Sequence, residues 1–561
     1  MDERRRVAAV LEELALLSEL AGENPFRARA MTNAARAVLR LPKDVAEMAA
    51  RAELTTVPGI GKGIAAIIVE TLDRGEPAQL AKLRAALPPG LPELLAVPGL
   101  GPKRIRTLWQ ELGVTTLGEL EYACRENRLV TLTGFGGATQ AKILAAIEFR
   151  RRAAEKHHIS TAWGAAEDVV AALTRALPSC QAAPAGEVRR SCEVVAEVVV
   201  VCSPAPAASV KTALGGVLEG VAAGADAVTG RHPGGPTVRV VAAPQGVFGL
   251  ALLWHTGSGE HLRQLAAHAA PRGLTLAEGR LVDGSGEDVA CADEEEAYRR
   301  LGLPWIPPEL REGEGEVEAA AEGRLPALVE ASDLLGAVHA HTTDSDGTAS
   351  LAEMAEAAAA LGWSLLGIAD HSQVAAYAHG LDGGRLRAQG EAIVAHNAGG
   401  GRPVLLRGLE ADVLVDGSLD LPGDVPLDFV VASVHSSFQH GIETQTARLV
   451  RAVSRGRGTI LGHPTGRLLL ARPGYAVDLE AVLRAAAASG AAVEINAHPF
   501  RLDLDWRWVR RAVALGVPIS IGPDAHEPAG LADVRWGLAV ARKGWATARD
   551  VLNAQPWPWW R

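Results

Sequence analysis

The sequence predicts a chain of several domains: an α-helical N-terminal region, a mixed α+β middle and a C-terminal barrel of alternating strands and helices. Three observations predict it. Glycine-rich turns recur through the first 150 residues, each ahead of a helix-like stretch. From about residue 335, strand-length apolar runs alternate with alanine-rich helix-like stretches, and each run closes on a side chain able to bind a metal. Repetition is weighed before single motifs because it fixes the architecture.

In the first region, Val57-Pro58-Gly59-Ile60-Gly61-Lys62-Gly63 and Val97-Pro98-Gly99-Leu100-Gly101-Pro102-Lys103 are near-copies, and Gly134-Phe135-Gly136-Gly137 is a weaker third. A glycine-rich turn before a helix presents backbone N–H groups at the positive end of the helix dipole, a ready place for a phosphate oxygen. Glycine keeps a Cβ from standing between backbone and ligand. The repeated pattern resembles the helix-hairpin-helix motif, which implies contact with DNA backbone, without sequence reading, through Gly59, Gly61, Lys62, Gly99, Gly101, Lys103, Gly134 and Gly136. Residues 1–150 carry 20 Lys and Arg against 18 Asp and Glu, whereas the whole chain has 56 against 66. Phosphate contact is therefore expected to be local, modest and salt-sensitive. Some relatives of this kind carry an amine for Schiff-base chemistry. That position holds Ile67 here, so no lyase activity is assigned.

In the middle region, Gly186-Glu187-Val188-Arg189-Arg190, Thr256-Gly257-Ser258 and Leu301–Glu312 together resemble the palm and thumb of a family X DNA polymerase. The resemblance implies a nucleotidyltransferase-like domain over 153–313 whose palm holds two metal ions on a GDID-like pair and a third aspartate. Here the pair reads Ala196-Glu197-Val198-Val199, and Thr237–Ala243, where the third belongs, contains no acid. With Glu197 alone left and Val199 unable to bind metal, the palm is expected to fold without polymerising, because one carboxylate cannot orient two divalent ions. Glu193 and Asp226 are the substitutes to consider. Glu312–Arg324, rich in glycine, glutamate and alanine, suggests a linker, set at 314–334.

The last region, 335–561, holds seven strand-like runs counted from GAVHAH and LLGIADH. Strands alternating with helices imply parallel strands buried on both faces. In a barrel of such units the functional side chains come from the C-terminal ends of the strands. Those ends carry His339, His341, Asp346, His371, Glu410, His435, His463, Asp524 and His526. Imidazole mixed with carboxylate suits Zn, Mn or Fe rather than Mg or Ca. Nine ligands are too many for one ion, so two or three divalent ions are expected, manganese foremost, with Glu410 as a bridge, clamping a phosphoryl group and activating a water. The pattern HxH…D…DH…E…H…H…DxH resembles the polymerase and histidinol phosphatase (PHP) superfamily over 335 to about 535. It implies a (βα)7 barrel, a trinuclear site and phosphoester hydrolysis, with Glu410, Asp524 and His371 carrying the chemistry. Arg467, four residues after His463, is the candidate phosphate clamp. His498 is read as a residue of the rim, and His379, His396 and His440 as surface residues.

The order of parts resembles the bacterial family X polymerases over nearly the full length. It implies a DNA-repair protein acting as a metal-dependent 3′→5′ exonuclease, with abasic-site cleavage as a further implied activity, on gapped or 3′-ended DNA. The alternatives carried forward are a gap-filling polymerase with PHP proofreading, a small-molecule phosphatase of histidinol-phosphatase type, and a non-catalytic scaffold for DNA ends. At 561 residues with 48% hydrophobic composition the chain has room for three or more domains. It lacks an uninterrupted apolar stretch of ~18 residues, so no membrane span is expected. Five cysteines without CxxC spacing suggest neither a disulfide framework nor a thiolate site. The acidic residues at the very start do not suit a signal peptide, and a cytoplasmic monomer is the expectation.

Overall fold

A computed structural model describes residues 3–41, 44–153, 155–225 and 227–558. The chain divides into two compact units, the second beginning at Glu155.

The first unit is entirely helical among its described residues. Its three glycine turns are built alike. Gly59, Gly99 and Gly134 take φ of 91°, 87° and 87°, a region that only glycine enters cheaply. The next residue in each, Ile60, Leu100 or Phe135, is buried. Its N–H closes the turn by donating to the carbonyl of Val57, Val97 or Leu132, at 3.0, 3.1 and 3.1 Å respectively. The helices Lys62–Arg74, Pro102–Leu112 and Gly137–Ala153 follow. The third copy, weaker in sequence, is equal in geometry, because the turn needs one left-handed glycine and one apolar anchor and tolerates the rest.

The second unit carries a palm-like sheet, a barrel and two short antiparallel pairs, His157–His158 with Val194–Val195 and Thr275–Ala277 with Arg280–Val282. The palm-like sheet orders its strands as Gln181–Ala185, Val198–Ser203, Thr237–Ala242, Ala227–Arg231 and Glu219–Ala223. Val198–Ser203 runs parallel to Thr237–Ala242 and antiparallel to Gln181–Ala185. Beyond it, helices Phe248–Thr256, Gly259–Ala269 and Glu294–Arg300 pack around Tyr298 and Leu253. The stretch expected as a linker is part of this packing. Helix Glu316–Ala321 buries Val317 and Ala320 in the same core, and its fully buried Glu316 accepts a 2.6 Å hydrogen bond from His261 Nδ1. Sequence composition missed this because a buried glutamate and a solvated one look the same until the histidine 55 residues away is placed beside it.

The barrel strands are all parallel: Gly336–Ala340, Leu365–Ile368, Val404–Arg407 continuing as Glu410–Asp412, Val430–Ser433, Thr459–Leu461, Ala492–Asn496 and Ile519–Gly522. The third of the seven bends at Gly408, where a Cβ would lie 2.2 Å from the Phe429 ring and 2.5 Å from the Ile368 carbonyl. The bridge Ala340↔Ala525, with His341 N–H donating to the Ala525 carbonyl at 2.8 Å, joins last strand to first and closes the barrel. This is the expected seven-stranded (βα) barrel. The palm-like layer shares its core, with Trp163 edge-on to Trp536 at 6.2 Å.

Candidate metal centre and DNA-backbone turns

The nine histidines and carboxylates converge at the C-terminal mouth of the barrel. They form three adjoining groups whose ligand atoms lie within 4.8 Å of one another: His339, His341 and Asp524; His341, Asp346, His371 and His526; and His371, Glu410 and His435. Glu410 is the hub. One oxygen lies 3.1 Å from His463 Nε2, 3.2 Å from His435 Nε2 and 3.3 Å from His339 Nε2, and the other lies 2.9 Å from His371 Nδ1. His463 joins the cluster only through Glu410.

Strand ends explain this convergence. The HxH pair straddles the end of the first strand, His339 lying where the register shifts between Ala337 and Ala340 and His341 just past the strand end. Three of the nine residues sit at positive φ: His339 at 73°, Asp524 at 52° and His463 at 26°. Such backbone costs about 1–3 kcal/mol per residue and persists where the surroundings over-determine it, as at functional sites.

The donor set fits divalent metal. His339 Nε2, His341 Nδ1, His371 Nδ1, His463 Nδ1 and Glu410 Oε2 are buried atoms without a hydrogen-bond partner. Orphaned polar atoms at this density are costly unless something else engages them. The 2.9 Å approach of His371 to Glu410 lacks hydrogen-bond geometry, so the two lone pairs face a shared point rather than each other. Electrostatics agree. Burial opposes every charge here, yet His371, His435 and His339 hold Glu410 well below the usual carboxylate range. Against the same burial, Glu410 and Asp412 push His435 up to about 10. Burial likewise opposes the charge on Asp346, but His526 and His371 bring it down to about 2. The cluster is thus rich in ionised oxygen, and metal uptake by its imidazoles would release protons.

A supporting set of residues orients the nine. Glu494 is fully buried; it takes a 2.6 Å hydrogen bond from His339 Nδ1 and a 2.8 Å one from the His463 amide. Asp412 Oδ1 lies 3.2 Å from His435 Nδ1, and Asn496 Nδ2 donates to Asp524 Oδ2 at 2.9 Å. Asp370 is no ligand: it receives Thr342 N and Oγ1 at 2.8 and 2.7 Å and Gln389 Nε2 at 2.6 Å, bracing the loop after His341. Sequence reasoning passed over Glu494, although a lone acid inside the apolar run AAVEINAH was a signal. Such outer partners fix imidazole tautomer and orientation. Glu494→Gln is expected to weaken metal affinity about 10- to 100-fold with the fold retained, as read by equilibrium dialysis against Mn²⁺. Unchanged affinity would mean that His339 is held by its backbone alone.

Arg467 does not join the cluster. Its guanidinium donates to the Arg501 carbonyl at 2.9 Å, to Asp505 at 3.2 Å, to Glu193 at 3.4 Å and to the Leu502 carbonyl. It ties a barrel loop to the palm-like layer with four of its five N–H groups engaged, which corrects the clamp expected of it. His498 lies outside all three groups, its Nδ1 taking the Phe500 amide at 3.2 Å. His379, His396 and His440 are outside them as well.

At the palm, Val199 pairs in register with Arg239 on the neighbouring strand, and Arg239 Nε donates to Glu197 at 2.8 Å. An arginine therefore occupies the strand that should supply the third carboxylate, and it neutralises the one acid left. Glu193 is engaged by Arg467, and Asp226 lies outside the described residues. In the helical unit, Asn24, Asp44 and Thr116 cap three helices with their side chains. The helices that follow Gly61 and Gly101 have no side-chain cap. A Cβ at Gly59, Gly61, Gly101, Gly134 or Gly136 would meet nothing within 4 Å, so these turns face open space. An uncapped helix start beside open space suits a phosphate oxygen, with Pro102 at the head of the second helix contributing no N–H of its own. Ile67, in the first of these helices, packs against apolar neighbours and offers no amine.

Known proteins match this arrangement part by part. A family described as a helix-hairpin-helix domain matches residues 2–77, a SAM-like helix-hairpin-helix tandem matches 91–148, and the DNA polymerase beta thumb matches 251–312. A "Probable phosphatase" of Thermoanaerobacter sp. (strain X514) is 31% identical over 161 residues, 27% of this chain and 63% of that protein. A second "Probable phosphatase", of Shewanella baltica (strain OS195), is 36% identical over 104 residues, 18% of this chain and 39% of its own length. The "DNA polymerase/3'-5' exonuclease PolX" of Bacillus subtilis (strain 168) is 34% identical over 562 residues, spanning 98% of this chain and 97% of that one. One relative thus aligns with the chain over nearly the whole length of both, and the chain belongs to the bacterial PolX family of DNA polymerase/3′-5′ exonucleases.

Proposed function

We propose that this protein is a DNA-repair enzyme whose working centre is the barrel, a metal-dependent phosphodiesterase that shortens DNA strands from the 3′ end, and that its palm does not polymerise. The observation that carries the reading is the Glu410-centred cluster beside the arginine-blocked palm: one potential metal centre is complete and the other is not.

His339, His341 and Asp524, then Asp346, His371 and His526, then Glu410, His435 and His463 would hold two or three divalent ions, manganese foremost, with zinc and iron compatible with the same donors. Bound there, such ions supply positive charge to a phosphodiester and acidify a water. The chain's own residues do the rest. Glu494 accepts the His339 Nδ1 proton and so leaves Nε2 as the lone-pair donor; Asp412 does the same for His435. Asn496 turns Asp524 toward His341. Glu410, held ionised among the imidazoles of His339, His371, His435 and His463, offers both oxygens to the ions. Abasic-site cleavage rests on the same centre.

The hairpin turns would grip the strand on its backbone, independent of sequence, in keeping with gapped or 3′-ended DNA as the partner. Each lysine that releases a counterion adds about 1 to the salt dependence. Lys62→Ala with Lys103→Ala is expected to lower the slope of log K against log salt by about 2 and to weaken every duplex alike. Fluorescence anisotropy between low and moderate salt measures it. An unaltered slope would remove these turns from the interface.

The short phosphatase relatives favour a second reading, hydrolysis of small phosphomonoesters at the same centre. A labelled 3′-recessed strand with Mn²⁺, beside histidinol phosphate and p-nitrophenyl phosphate, separates the two. Strand shortening supports the nuclease; phosphomonoester turnover with intact DNA would replace it. Among the described residues no helix is long and apolar enough to cross a membrane; a cytoplasmic place of action and a monomeric state belong to this reading.

A further inference from the structure

The mouth of the metal centre carries two groups that belong neither to the ligand set nor to its hydrogen-bonded supports. Arg501, in the loop after Ala492–Asn496, places Nε 3.7 Å from Asp524 Oδ2, too far for a hydrogen bond, and its guanidinium donates none among the described residues. The other arginines of the surrounding loops are engaged. Arg385 holds the His379 and Gly380 carbonyls, Arg467 has four N–H groups bonded to Arg501, Asp505, Glu193 and Leu502, and Arg472 donates to the Gly466 carbonyl and lies over the Phe438 ring at 4.6 Å. Tyr377, in the loop after Leu365–Ile368, is 68% exposed. Its ring centre lies 6.0 Å from that of His371 and 6.4 Å from that of His435. The neighbouring candidate Phe500 already packs against His158 at 4.4 Å and His498 at 5.2 Å.

A cation at the rim of the cluster with its guanidinium donors free suits an incoming phosphate, which it can take by paired hydrogen bonds. An exposed tyrosine set at a steep angle beside two imidazoles of the cluster is large and rigid, the property that lets single-strand binding proteins stack any base. We propose that Arg501 and Tyr377 form a subsite for the terminal nucleotide of a single DNA strand, Arg501 taking the phosphate and Tyr377 stacking on the base. This rests on the exonuclease reading and adds to it the two residues that hold the strand end.

The experiment is calorimetric titration of the full-length, Mn²⁺-loaded protein with thymidine 5′-monophosphate, deoxyribose 5-phosphate and thymidine, for wild type, Arg501→Gln and Tyr377→Leu. Metal content and Tm are recorded for each variant. Arg501→Gln is expected to weaken both phosphates about tenfold or more while leaving thymidine unaffected. Tyr377→Leu is expected to weaken the nucleotide and thymidine about fivefold or more and to spare deoxyribose 5-phosphate. Unchanged nucleotide affinity in either variant would overturn the subsite. So would loss of metal from Arg501→Gln in step with affinity, which would make the guanidinium only a support for Asp524. Strand shortening by the wild type is scored separately: if it occurs and the variants bind as wild type, the subsite fails alone, whereas if DNA stays intact and the variants still lose nucleotide, the exonuclease reading fails and the subsite stands.

Discussion

Replacing His339 and His341 together by alanine is expected to abolish shortening of a 3′-ended strand, a fall of about a thousandfold or more, equivalent to about 4 kcal/mol of transition-state stabilisation. The size follows from position. Both imidazoles are fully buried. His339 connects Glu410, Asp524 and Glu494, at 3.3, 3.5 and 2.6 Å, and His341 belongs to two of the three ligand groups. Removing both deletes donors from every group but the one around His435, while Glu494 loses His339 and Asp524 loses both imidazoles. Loss of stability is a competing cause, so Tm and far-UV circular dichroism accompany the assay, and Glu410→Gln, nearly equal in volume, serves as the second variant. Equal loss of cleavage with the fold intact ties the activity to the cluster. Cleavage that survives in both variants would sink the proposed function, because no other described group of histidines and acids could hold a metal.

How far the sequence reached depends on the range of the interactions involved. The barrel was legible because each strand is an apolar run and each ligand ends one; strand period and loop position are local properties. The hairpins were legible for the same reason, a left-handed glycine followed by a buried apolar residue. Arg467 misled because nothing near it in sequence announces its partners: Asp505 lies 38 residues on and Glu193 lies 274 residues back. The helix Glu316–Ala321 misled in the same way, its glutamate count suggesting solvent while Glu316 is buried on His261. Arg501 carried no signal at all, since a free guanidinium is known only when the acceptors around it are. Spacing within a motif thus identifies ligands, whereas the residues that hold them and the residues left unsatisfied are defined by tertiary contacts.

Gapped DNA supplied with all four deoxynucleotides and Mg²⁺ or Mn²⁺ is expected to show no template-directed extension by the His339→Ala/His341→Ala protein, in which shortening cannot mask synthesis. Phosphoryl transfer by two ions is almost entirely positioning and charge stabilisation. The palm has kept the scaffold for both and exchanged the charges. Val199 is buried with no oxygen to offer, and its in-register partner Arg239 pairs with Glu197 at 2.8 Å. A divalent ion brought there would meet a guanidinium and a single carboxylate already engaged. Like-charge repulsion then adds to the missing coordination, so higher metal concentration should not rescue the activity. Arg239→Asp with Val199→Asp is the informative converse. It removes the cation and returns acids to both neighbouring strands beside Glu197, and it should restore Mn²⁺ uptake at the palm if the arginine is the block. Extension by the unaltered palm would show that Glu193 or Asp226 serves in place of the lost pair, and would make the protein a polymerase whose barrel edits its own product.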